Sequence, residues 1–180
     1  MLRLFFDMDG VLCDFDKKVK ELNLPIVKNV PSFELTLEEK KLRNIFWNNI
    51  AEYKEKFWEE LDPINQVIEV IYFWEKYPNI SFNVLSKVPS NKACHDYAIQ
   101  GKKNWLKNHN LLYVFENVYI VDKDKTKYCK NINDILIDDR ESNCIEWQKA
   151  GGTAILFKDA RQLNNAISSI FSWIKDDEIS

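Results

Sequence analysis

Phe5-Phe6-Asp7-Met8-Asp9-Gly10-Val11-Leu12 is an apolar segment that runs directly into acid. With Leu2 and Leu4 before them, Phe5 and Phe6 predict a short buried strand. Two carboxylates one residue apart follow, and Gly10 supplies the backbone freedom for a sharp exit. Side chains alternate along extended backbone, so Asp7 and Asp9 point roughly the same way. Their like charges repel unless a cation lies between them. A second acidic pair, Asp138-Asp139, ends another apolar run, Ile135-Leu136-Ile137. The two strand ends are expected to meet around one Mg²⁺, which suits an all-oxygen site that keeps water molecules. Such a site handles phosphate.

The rest of the chain narrows the choice. At 180 residues there is room for one domain with a sizeable core and a modest insertion. Six Trp, seven Tyr and eleven Phe provide material for that core. A net charge of −3 gives no basic footprint for a nucleic acid partner. Cys13, Cys94, Cys129 and Cys144 are widely spaced and lack a CxxC pair, as expected of reduced thiols. No apolar stretch approaches membrane-spanning length, and Asp7 interrupts the N-terminal run too early for a signal peptide. The expected compartment is the cytoplasm. A calcium loop counted from Asp7 would need Gly and Glu where Leu12 and Lys18 stand, which excludes it.

Along the chain, Thr36 and Glu39 form a capping box ahead of an amphipathic helix with Leu42, Phe46, Ile50, Tyr53 and Phe57 on one face. Asp62-Pro63 reads as the start of the next helix, with Ile64, Val67, Ile68, Ile71 and Trp74 buried. Further strands are expected at Ile80–Leu85, Val118–Val121, Ile135–Ile137 and Thr153–Phe157. Ser90 or Asn91 caps a helix running towards His109, and a shorter one from about Ser142 is stopped by Gly151-Gly152. Asp159 and Gln162 open a last helix with Ile167, Ile170, Phe171 and Ile174 inside. Alternating strands and helices predict an α/β fold: a Rossmann-like, mostly parallel five-stranded sheet with helices on both faces. Ligands of such sheets lie beyond the carboxyl ends of the strands, where Asp7, Ser86, Asp122 and Asp138 all stand. Residues 16–61 are too long for a strand-to-helix loop and are expected to form an inserted helical cap, leaving 1–15 and 62–180 as the core.

With these residues in place, the chain resembles the haloacid dehalogenase (HAD) superfamily of phosphohydrolases from Asp7 to about Phe157. Asp7-Met8-Asp9-Gly10-Val11 is similar to that family's first motif, Ser86 to its second, and Leu136-Ile137-Asp138-Asp139-Arg140 to its fourth. Asn143, Trp147 and Ala150-Gly151-Gly152 resemble the usual continuation. Within the superfamily the similarity is to the 5′(3′)-deoxyribonucleotidase-like group. It rests on Leu61-Asp62-Pro63-Ile64, the aromatic-rich insertion before it and the Asp124-Lys125-Thr126 triplet. Two departures are present: a long spacing from Lys125 to Asp138, with Lys127 as a rival lysine, and Ser86-Lys87 where the group favours Thr-Ser.

The resemblance implies Asp7 as nucleophile, Asp9 as general acid/base, and Ser86 and Lys125 as phosphate contacts. It assigns the metal to the Asp7 carboxylate, the Asp9 carbonyl and the Asp138-Asp139 pair, with Asp139 the direct ligand and Asp138 behind it. Lys87, Trp47, Phe57 and Trp58 complete the expected substrate-binding set, the aromatics as stacking partners for a base, although aromatic stripes on helices more often pack a core. The expected reaction is Mg²⁺-dependent hydrolysis of a (deoxy)nucleoside monophosphate, with no stable nucleic acid partner. A different small phosphomonoester, a nucleic acid 3′-phosphate, and a non-catalytic binding module of the same fold stay open.

Overall fold

The computed structural model describes residues 1–28, 30 and 32–177, without the side chains of 32 and 173–177, so the expected burial of Ile174 lies outside it. In chain order the elements are β1 (Leu2–Phe6), α1 (Phe15–Glu21), α2 (Leu37–Glu52), α3 (Lys56–Glu59), α4 (Asn65–Trp74) and β2 (Ile80–Lys87). Then come α5 (Lys92–Asn108), β3 (Asn117–Val121), β4 (Asp134–Asp138), α6 (Glu141–Lys149), β5 (Thr153–Leu156) and α7 (Ala160–Asp177). Two compact units result: residues 1–14, 63–87 and 112–180, and residues 15–62 with 88–111.

The first unit is the α/β sheet. Its five strands run parallel in the order β3-β2-β1-β4-β5, which puts the strand ahead of Asp7 in the middle. Phe6 pairs with Val84 on one side and Ile137 on the other, and the Asp7 amide donates to the Ile137 carbonyl at 2.9 Å, continuing the ladder to the acid. On one face Phe5, Leu85, Leu136 and Trp147 are buried together, with Tyr119, Tyr128 and Cys129 against them. On the other, Phe6 stacks on Phe82 at 6.0 Å and meets Phe115 edge-on at 6.1 Å. Each such side chain contributes about 2 kcal/mol by leaving water. At the amino edge, buried Asp134 accepts from Arg3 Nε at 2.6 Å and from the Lys130 and Asn131 amides. Burial opposes its charge, but these donors prevail and hold its pKa below the usual carboxylate value.

The second unit is helical: α1, α2, α3 and α5. It takes in residues 88–111, which the sequence reading assigns to the α/β core, because α5 packs on α2 and α3. Gly101 permits the approach to α3, since a Cβ there would lie 2.3 Å from the Glu55 carbonyl oxygen. The Thr36–Glu39 capping box is present, and Asn91 caps α5 through its side chain.

Three expectations are corrected. The single helix through Phe57 ends at Glu52, where Lys54 takes φ +52° and the chain restarts as α3, leaving Leu42 and Tyr53 exposed. Asp62-Pro63 does not begin α4. Pro63 bridges Cys13, the Ile64 amide donates to Leu12, and the helix starts at Asn65, while the Asp62 carboxylate pairs with Lys17. The second strand also runs on to Lys87 rather than stopping at Leu85.

Candidate active site

The carboxyl edge of the sheet carries the chemistry. Beyond β1, the Val11, Leu12 and Cys13 amides all donate to the Met8 carbonyl, and Gly10, at φ +83°, donates to Cys13. This coil fixes where Asp7 and Asp9 leave the strand. A Cβ on Gly10 would lie 2.5 Å from Asp139 Oδ2, so the glycine is what lets the Asp139 carboxylate come against the loop.

Asp7, Asp138 and Asp139 each offer a carboxylate oxygen, all within 4.8 Å of one another. Lys125 Nζ lies between two of them, 3.1 Å from Asp7 Oδ1 and 2.6 Å from Asp138 Oδ2. Its placement follows from a local turn: Asp124 Oδ1 accepts from both the amide and the hydroxyl of Thr126, and Lys125 is directed inwards while Lys127 stays exposed. Burial penalises the Lys125 ammonium, but the charges of Asp7 and Asp138 outweigh it and raise its pKa.

Asp138 is fully buried and already well satisfied. Besides Lys125 it accepts from the Arg140 amide and from Asn143 Nδ2, which lies 2.9 Å from each oxygen. Lys87 Nζ donates to Asn143 Oδ1 at 2.7 Å. Burial and the charge of Asp7 raise the Asp138 pKa, with Lys125 and Asn143 opposing. Asp139 differs: its side chain reaches solvent and is the more open donor of the pair. Burial of its carboxyl group within the cluster, then Asp7 and Asp138, push its pKa up to about 7 against the pull of Arg140. Three acids whose ionisation is this mutually unfavourable could together hold a cation.

Of the expected residues, Asp7, Lys125, Asp138, Asp139 and Lys87 meet at this edge. Asp9 is on the adjoining loop, half-buried beside Cys13, and Ser86 is buried at the penultimate position of β2. Trp47, Phe57 and Trp58 belong to the second unit, in an aromatic cluster with Phe15 and Phe46. Phe57 and Trp58 are buried and Trp47 partly so; packing alone accounts for the rings. Trp58 Nε1 has no hydrogen-bond partner among the described residues.

Two residues lie outside the expected set. Asn143 was signalled by its place in the first turn of the helix after Asp138, where a short amide reaches back to the strand end. Lys102 is 1% exposed in α5, on the stripe of Cys94, Ala98, Gly101 and Trp105. A lysine on an apolar stripe is a readable anomaly, because buried ammonium groups require partners. Cys144 is inert: burial first and then Asp138 push its thiol up to about 11.

Residues 1–179 match the family model described as 5′ nucleotidase, deoxy (pyrimidine), cytosolic type C protein. The chain belongs to this nucleotidase family. It is accordingly an enzyme of the phosphatase class. Among solved structures, a HAD-superfamily hydrolase from Ehrlichia chaffeensis superposes with a TM-score of 0.59 at 14% identity, over 94% of this chain and 97% of that one. A haloacid dehalogenase-like hydrolase from Streptococcus pneumoniae gives 0.55 at 16% identity, over 92% and 90%. An L-2-haloacid dehalogenase from Xanthobacter autotrophicus, with chloropropionic acid covalently bound, gives 0.54 at 12% identity, over 86% and 76%. At these identities the likeness is one of fold. No curated protein matches the chain. No helix among the described residues of this nucleotidase-family member is long and apolar enough to cross a membrane.

Proposed function

We propose that the chain is a Mg²⁺-dependent 5′-nucleotidase, hydrolysing (deoxy)nucleoside monophosphates through an aspartyl phosphate on Asp7. The observation that supports this most is the convergence of Asp7, Asp138 and Asp139 within 4.8 Å, with Lys125 between Asp7 and Asp138. The donor set fits Mg²⁺: it is all oxygen, carries excess negative charge and has one acid, Asp139, open to solvent. The Asp7 carboxylate, the Asp9 carbonyl and Asp139 would hold the ion. Asp138, committed to Lys125, Asn143 and the Arg140 amide, supports them from behind. When bound, Mg²⁺ offsets the repulsion between an anionic ester and the Asp7 carboxylate.

The protein's own groups do the rest. An Asp7 oxygen forms the new bond to phosphorus as the ester oxygen leaves, and Asp9 gives that oxygen its proton. Asp9 then takes a proton from water as the water attacks phosphorus, the acyl–phosphate bond breaks and the Asp7 carboxylate is regenerated. Lys125 remains a cation throughout, because its pKa is raised, and with the Ser86 hydroxyl it holds phosphoryl oxygens as charge spreads over them. The four free thiols suit a reducing compartment, and we place the enzyme in the cytoplasm acting on a small soluble substrate.

A panel of nucleoside 5′- and 3′-monophosphates, sugar phosphates and a 3′-phosphorylated oligonucleotide, with Mg²⁺ or EDTA, tests the reading. Mg²⁺-dependent release of phosphate from nucleoside monophosphates, abolished in a folded Asp7→Asn variant, is expected. Turnover confined to another ester would remove the nucleotidase claim, and full activity in Asp7→Asn would remove the mechanism.

A further inference from the structure

Strand alternation puts Lys87 on the sheet face shared by Asp7 and Asp138, since Phe5 is level with both Asn83 and Leu136. There the Lys87 ammonium donates to Asn143 Oδ1 at 2.7 Å, and Asn143, 6% exposed, turns its Nδ2 to both Asp138 oxygens. A carboxamide has one accepting and one donating end. Rotated by half a turn, this one would set NH₂ against the ammonium and oxygen against the carboxylate, turning all three attractive contacts repulsive. The Lys87 charge is held there against a cost: burial lowers its pKa, with the Glu146 carboxylate the leading opposing influence.

We infer that Lys87 is a positioning residue, which locks the Asn143 amide and through it the Asp138 carboxylate that fixes Lys125. Its effect on turnover rests on the phosphatase reading above; its effect on Asn143 does not. The rival use of the same side chain is direct anion binding. Lys87 also lines an open groove of about 590 Å³ with Lys123, Asp124, Thr126, Glu146 and Lys149. Binding and positioning separate cleanly in the kinetics, because a lost substrate contact raises KM whereas a misplaced acid lowers kcat.

The test uses the full chain, ¹⁵N-labelled, as Lys87→Met and Lys87→Gln, with the Asn143 side-chain NH₂ signals assigned by their disappearance in Asn143→Asp. In Lys87→Met those signals should shift and exchange faster with solvent. At saturating Mg²⁺, kcat on the best monoester of the panel should fall about ten-fold, with KM little changed. Lys87→Gln, which keeps a donor for Asn143 Oδ1 without the charge, should restore most of both. Unmoved Asn143 signals in a folded Lys87→Met protein overturn the inference, and so does a loss confined to KM. Should the wild type hydrolyse no phosphomonoester, the phosphatase reading fails, while the Asn143 signals still decide the positioning claim.

Discussion

Replacing Lys125 by methionine removes a buried charge while keeping a flexible chain of similar reach. In the wild type its ammonium lies 3.1 Å from Asp7 Oδ1 and 2.6 Å from Asp138 Oδ2. At an effective dielectric constant of about 20, unit charges about 3 Å apart attract by roughly 5 kcal/mol. Desolvation of the ions takes back much of that, and deleting one partner of a buried pair costs about 3–5 kcal/mol in practice. With a urea m-value of about 2 kcal/mol/M, the unfolding midpoint should drop by roughly 1.5–2.5 M in EDTA. The Lys125 pKa is raised on folding, so its contribution is complete below the unfolded lysine value and is lost only as pH rises through the higher folded one. An assay at about pH 7.5 therefore samples all of it. Adding Asp138→Asn to Lys125→Met should recover part of the loss, with a coupling above about 1 kcal/mol. A Lys125→Met midpoint equal to the wild type's, or effects that add within about 0.5 kcal/mol, would refute Lys125 as the counter-ion of these acids.

The pH response of the metal-free protein should be inverted relative to ordinary acid denaturation. Asp139 keeps its proton to about 7 in the folded chain, and the unfolded chain releases it near the ordinary value of 3.8, so stability falls as pH rises through that window. Asp134, with a lowered pKa, loses its contribution only as pH falls below that range, outside the window. Thermal melts in EDTA should give a higher Tm at about pH 5 than at about pH 7.5, with Mg²⁺ restoring the loss at the higher pH; a Tm that rises across this interval would count against the cluster. Gly10→Ala combines a φ of +83° with a Cβ 2.5 Å from Asp139 Oδ2. It should cost about 1–3 kcal/mol of stability and at least about ten-fold in Mg²⁺ affinity by titration calorimetry. Unchanged affinity would mean that Asp139 is not a ligand.

The sheet and half of the site were readable because β1 and β4 are continuous apolar runs that stop at acids, a pattern that neither an amphipathic helix nor a surface loop produces. Lys125 was set apart from its rival Lys127 only by the resemblance of the Asp124-Lys125-Thr126 triplet, because what buries it is the Asp124–Thr126 turn, a matter of backbone path. Lys87 was expected at the site, but a strand end placed at Leu85 left its orientation open: two more residues of β2 decide which face it occupies. Tertiary packing likewise overrode local signals at Asp62-Pro63, which has the chemistry of a helix start but bridges Cys13 instead. The assignment of α5 to the helical unit depended on the close approach at Gly101, and a lone glycine within a helical pattern does not announce a partner.

The central place of β1 has a consequence for biosynthesis. Leu2 waits for Ile80 and Arg3 for Asp134 before either side of the strand is paired. At about 5–20 residues per second, a nascent chain leaves the ribosome for roughly ten seconds with that apolar segment unclosed. Fragments ending before residue 134 would keep an adhesive edge. Maturation of the acidic centre and protection from aggregation thus arrive in the same late step of translation.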